Sequence, residues 1–238
     1  MKINFCRLTC FGDYSRIEYS KDAVLSLSNL IPNYFPSLVQ ESIVDELGPR
    51  NLNRIQLRTP DGLRTITILS NRIDVERRYA ISEMPKDNLN DIETMKQEMT
   101  IILNSLQPNL ITKSFRLAYF VSYYIFDMPK DKYLDYCKKF LTIPKFYNDC
   151  LRDEFIVRYV GSLSKIINGT NQDINAITTI NKIIPIVQNE KVYDGYSVSF
   201  DINTSPVDNS FRFGPQEFID FVEIALDIKK EMIGDFLW

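Results

Sequence analysis

Seven arginines, Arg50, Arg54, Arg58, Arg64, Arg72, Arg77 and Arg78, stand in a stretch that has no lysine and only Asp61, Asp74 and Glu76 as acids. Strand alternation puts Arg54, Gln56 and Arg58 on one face, and likewise Arg72, Asp74, Glu76 and Arg78, with Ile55, Leu57, Ile73 and Val75 turned the other way. A guanidinium is a planar fork of donors that grips a carboxylate or a phosphate with two bonds at once. Arg54, Arg58, Arg72 and Arg78 are therefore the candidate binding residues, and the Arg50–Arg78 region suits an anionic ligand, a nucleic acid or, as the first expectation, a protein partner. The competing reading is a solvated face whose arginines pair with acids on neighbouring strands, each pair contributing little.

The three acids of the same stretch allow a different chemistry. Asp61, followed by Asp74 and Glu76, bears a faint likeness to the acidic layout of PD-(D/E)xK nucleases, although Arg78 stands where the lysine of that motif would fall. Pro60-Asp61-Gly62 is also turn chemistry in its own right. A magnesium ion would need the carboxylates to converge. Other catalytic chemistry is narrowed by what the chain lacks. It has no histidine, which removes Ser-His-Asp and Cys-His catalysis and imidazole metal ligation. Its 8 glycines form neither a phosphate loop nor a nucleophile elbow. Cys6, Cys10, Cys137 and Cys150 include no C-x-x-C pair and read as free thiols of a reducing compartment. No metal or cofactor is expected.

At 238 residues with 45% hydrophobic and 25% charged side chains, the composition is that of a globular chain that is not embedded in a membrane. A net charge of −3 argues against bulk nucleic-acid binding while permitting a local basic patch. The N-terminus has no apolar run of signal-peptide length, and a cytoplasmic location is expected. The greasiest stretch, Ser114–Asp127, is too short for a membrane helix, which takes about 20 apolar residues. Both of its alternating faces are apolar, so it reads as a strand covered on both sides. Tyr119, Tyr123, Tyr124, Phe126, Tyr193 and Tyr196 could line an apolar pocket between this strand and the last helix near Phe221, or simply pack a core. Phe236 and Trp238 at the C-terminus offer an interface anchor.

The elements that would carry these groups follow from punctuation and periodicity. Lys2–Phe11 reads as a strand, Lys21–Ile31 as a short helix or an irregular apolar segment, and Ser37–Leu47, after a proline-broken segment, as another short helix. Asn53–Thr59, Leu63–Leu69 and Arg72–Ala80 read as three antiparallel strands. Asn90 with Glu93 predicts a capping box for a helix whose Ile92, Met95, Met99, Ile102 and Leu106 share a side. After the central strand come a short helix from Pro129, strands over 152–167, 173–184 and 191–204, and a helix opened by Pro215 with an acid at Glu217.

The expected class is α+β, with antiparallel sheets each packed on a long helix. Residues 1–110 and 111–238 each run strand, insert, three strands, helix, and so read as two pseudo-repeated units or one continuous domain; Arg7-Leu8 and Arg116-Leu117 are the closest matching residues. This order resembles the helix-grip plan and the paired layout of TATA-binding-protein-like folds, in topology alone. The functional expectation is a non-enzymatic cytosolic binding protein using its arginine-rich sheet face. The alternatives are a helix-grip pocket for an apolar small molecule and a metal-dependent nuclease using Asp61, Asp74 and Glu76.

Overall fold

The computed structural model describes residues 1–45, 48–106, 113–126, 156–188, 191–206 and 210–234. β1 (Lys2–Phe11) leads to α1 (Lys21–Leu30), then to β2 (Phe35–Asp45), β3 (Gly48–Arg58), β4 (Arg64–Ile68) and β5 (Arg72–Arg78), and α2 (Leu89–Leu106) follows. β6 (Arg116–Phe126), β7 (Ile156–Ile167), β8 (Thr170–Gln188), β9 (Lys191–Thr204) and α3 (Pro215–Gly234) complete the described elements. The helix expected after Pro129, and Phe236 and Trp238, lie outside the described residues.

All nine strands belong to one antiparallel sheet in the order β2-β3-β4-β5-β1-β6-β9-β8-β7. The class is α+β, as expected. β1 and β6 lie side by side at its centre, from Lys2 opposite Tyr124 to Phe11 opposite Arg116. The hydrogen-bonded ladder therefore runs straight across the boundary between residues 1–110 and 111–238.

Local chemistry explains most of the elements. In α1, Ser20 caps the first turn by accepting from the Ala23 N–H at 3.2 Å. At α3, Pro215 leads the helix and Glu217 reaches back to the Gly214 N–H at 2.9 Å. At α2 the expected box of Asn90 and Glu93 is replaced by Asp87, whose carboxylate accepts from the N–H groups of Asn88 at 2.7 Å and Leu89 at 3.2 Å. Between β7 and β8, Asn168 and Gly169 both take positive φ, 44° and 76°, which is what a two-residue hairpin turn requires.

Two expectations change. Ser37–Leu47 is not a helix: the run from Phe35 to Asp45 is edge strand β2, paired residue for residue with β3 from Arg58 back to Gly48. Its β-branched Val39, Ile43 and Val44 favour this, and an edge strand tolerates Pro36. β6 is not covered on both sides. Leu117, Tyr119, Val121 and Tyr123 are buried, while Arg116, Ala118, Phe120 and Tyr124 on the other face are half-exposed.

Much the same alternation holds in the neighbouring strands, because the described helices occupy one face only, although Thr9, Asp74 and Asn203 on the other face are buried as well. α2 and α3 pack against each other and against the central strands on the side of Cys6, Leu8, Cys10, Ile73, Val75, Val198, Phe200 and Ile202. Met95, Met99 and Ile102 of α2 and Phe218, Phe221, Ala225 and Ile228 of α3 complete that core. Among the described residues no helix is long and apolar enough to cross a membrane.

Candidate functional site

The face of the sheet away from the helices can be followed row by row, since antiparallel partners point to the same side. Across β5, β1, β6 and β9 one row is Arg78, Phe5, Ser122, Ser199, and the next is Glu76, Arg7, Phe120, Asp201. The third is Asp74, Thr9, Ala118, Asn203, and the last begins Arg72, Phe11, Arg116. On the three central strands this face carries four arginines against two carboxylates, in a chain whose net charge is −3.

At the middle of the face the two central strands carry the same short pattern. β1 reads Arg7-Leu8-Thr9-Cys10-Phe11 and β6 reads Arg116-Leu117-Ala118-Tyr119-Phe120. Their antiparallel register sets Arg7 opposite Phe120 and Phe11 opposite Arg116, with Thr9 and Ala118 between. Each guanidinium lies over the ring opposite it, Arg7 at 5.8 Å from the centroid of Phe120 and Arg116 at 5.0 Å from that of Phe11. Such contacts contribute about 0.5–1 kcal/mol where exposed. Phe5 adds a third ring, 5.8 Å from Phe120, with Arg78 5.3 Å above it.

The arginines differ in how far their donors are used. Arg72 Nε donates to Asp74 at 2.8 Å, and Arg78 sits 3.7 Å from Glu76. Arg7 reaches Asp74 and Glu76 only at 4.0 and 3.8 Å. The Nε donors of both Arg7 and Arg116 are shielded from water and have no acceptor among the described residues.

The four arginines singled out from the sequence do not stay together. Arg72 and Arg78 stand on this face. Arg58 is on β3 at the same parity, donating to Gln56 Oε1 at 2.5 Å. Arg54 is fully buried: it donates to Glu41 at 2.8 Å and to the carbonyls of Ser15 and Ile17 at 3.0 and 2.9 Å, while Glu41 accepts from Ser70. It ties the β1–α1 connection to the hairpins and is not available to a ligand. Arg7, Arg116, Phe5, Phe11 and Phe120 are the residues that sequence reasoning missed. The matching Arg-Leu pairs pointed to two of them, and only the register shows that their rings are exchanged.

Asp61, Asp74 and Glu76 are not brought together. Asp61 is held in its own turn by Thr59 and Leu63, which keep its carboxyl below the usual range, and it faces Arg77 at 3.6 Å on the helix side. Asp74 and Glu76 are on the opposite face. Among the described residues no group of three metal-binding side chains occurs. Tyr119 and Phe221 are fully buried against the sheet–helix seam.

Two open clefts flank these features. One of about 410 Å³ continues the face opposite the described helices past Phe5, Arg78, Phe120 and Tyr124. The other, about 570 Å³, lies on the helix side between Phe35, Asp61, Arg64 and Arg77. Its arginines are already matched, since Asp91 accepts from Arg64 at 2.7 Å and lies 3.9 Å from Arg77. Cys6 and Cys10 are free and buried, and desolvation holds the Cys6 thiol up at about 12, so neither is a nucleophile. Comparison of the chain with family models, with curated proteins and with solved structures finds no match in any of the three.

Proposed function

We propose that this chain is a non-enzymatic binding protein that engages an anionic macromolecular partner through the face of its sheet opposite the described helices. The observation that carries the reading is the pair of half-exposed arginines, Arg7 and Arg116, each with its guanidinium laid on a phenylalanine of the neighbouring strand. Arg72, Arg78 and Arg58 surround that centre and supply the positive field that draws a polyanion in. Arg54 is left out of the site because it is buried in the scaffold.

The same centre supports reading residues 1–110 and 111–238 as pseudo-repeated units. The repeated Arg-Leu-x-x-Phe pattern meets itself across β1 and β6, each half contributes one contiguous block of the sheet, and each ends in a long helix. No comparable observation favours an apolar pocket or a nuclease.

The test is retention on immobilised polyanions, heparin and poly-glutamate, for the protein and for an R7E/R116E double variant with an unchanged circular-dichroism melt. Retention of the wild type and its loss in the variant are expected. Equal elution of the two proteins would remove the face from consideration.

A further inference from the structure

Resting on that reading of the face, we infer that its occupant is a single-stranded nucleic acid, with phosphates at Arg7 and Arg116 and bases on the rings beside them. The one ligand class that needs both a row of flat surfaces and a row of cations is a chain that alternates flat rings with anions. An acidic peptide would use the guanidinium groups alone, with the rings serving only to hold them in place. The face supplies both in register: Phe5, Phe120 and Phe11 alternate with Arg78, Arg7 and Arg116 across β1, β6 and β5.

Spacing agrees with an extended ligand. Arg7 and Arg116 come from adjacent strands and are offset by four residues along them, about 14 Å at roughly 3.4 Å per residue. A single strand laid along β1 and β6 would meet Arg7 with Phe5 and Phe120 beside it, cross Thr9 and Ala118, and reach Arg116 beside Phe11. Ser199, half-buried on β9, lies beside this track with a hydroxyl group of the kind that bonds base edges. A duplex keeps its bases stacked inward and would not use the rings.

The exchanged Arg–Phe pairs add a constraint that a one-sided patch would not. Because Arg7 over Phe120 and Arg116 over Phe11 are equivalent by register, each half of the centre presents the same cation and the same ring. Removing either arginine should therefore weaken binding to a similar extent.

The experiment is fluorescence anisotropy with labelled single-stranded 12-mers, RNA and DNA, of mixed sequence, the matching duplexes, and a labelled poly-glutamate peptide, each over a range of salt. The variants are R7Q, R116Q and F11L/F120L, the last keeping apolar strand-forming residues so that the sheet still folds. Binding of single strands is expected, weakened at least about tenfold by F11L/F120L. R7Q and R116Q should give similar losses and shallower salt slopes. Arginine-dependent binding of poly-glutamate without binding of oligonucleotides would overturn this inference while leaving the proposed function standing. Tighter binding of the duplexes, or oligonucleotide binding indifferent to F11L/F120L, would overturn it as well. If no polyanion binds, both fall.

Discussion

Glu98 shows how a single carboxyl is set by burial. It sits on α2 facing the sheet, only 9% exposed, accepts from the Tyr34 hydroxyl at 2.9 Å and lies 4.0 Å from Arg64, while its second oxygen has no hydrogen-bond partner among the described residues. Desolvation outweighs the Tyr34 bond and the Arg64 charge, so its pKa is raised above the usual carboxylate value. A raised carboxyl pKa means that the folded state holds a proton that the unfolded state has already released. The stability this group contributes is fully present below the ordinary carboxyl range and is lost as pH rises through the folded value. Glu98→Gln removes the ionisation and keeps an acceptor for Tyr34. We expect its melting temperature to exceed that of the wild type by a few degrees at pH 7, with the gap closing near pH 4. A variant that melts lower at pH 7 would show that the ionised carboxylate is instead a favourable partner of Arg64. Residue types alone could not separate such buried polar groups from surface ones. Arg54 and Arg58 share a strand and a parity, yet one is buried under the β1–α1 connection and the other is exposed.

At the scale of the element, close approach of backbones decides more than propensity. Gly195 in β9 faces Phe126 of β6, and a methyl group there would run into the carbonyl oxygen of Ile125 and crowd Phe126 Cα at 3.2 Å. Gly161 in β7 has only the Ala176 carbonyl oxygen, at 4.0 Å, within reach. We expect Gly195→Ala to destabilise by about 2 kcal/mol or more and Gly161→Ala to stabilise slightly, since glycine in a strand costs about 0.5–1 kcal/mol in conformational entropy. Urea titration of both variants checks this, and a Gly195→Ala protein as stable as the wild type would mean that β6 and β9 can move apart. Most elements could be read from periodicity, including α2, α3 and the three late strands. β2 could not, because Ser37–Leu47 mixes polar and apolar residues in a pattern that helix and strand share, and its strand character comes from pairing with β3. The second apolar face of β6 was visible in the sequence, but its exposure was not. That depends on helices packing on one side only.

For the whole molecule the decisive join is β1 against β6, which makes one sheet of two sequence halves. Expressed separately, residues 1–110 and 111–238 should each leave a central strand edge uncovered, along with part of the core. We expect neither half alone to give a cooperative thermal transition, and mixing them to restore one. A sharp melt from the isolated first half would establish it as an independent domain. The order of strands within each half was legible from hairpin turns, but nothing local specifies a pairing between residues more than a hundred positions apart.

That central pairing also has a consequence on the ribosome. β1 is made well before the strands that flank it, β5 and β6, which follow only at Arg72–Arg78 and Arg116–Phe126. At roughly 5–20 residues per second, Leu8 and Cys10 wait from a few seconds to about twenty before both neighbours exist. During that interval the nascent chain carries an apolar strand with first two edges and then one edge open, which is the kind of segment that chaperones hold. The strand at the middle of the finished sheet is thus made well before it is enclosed.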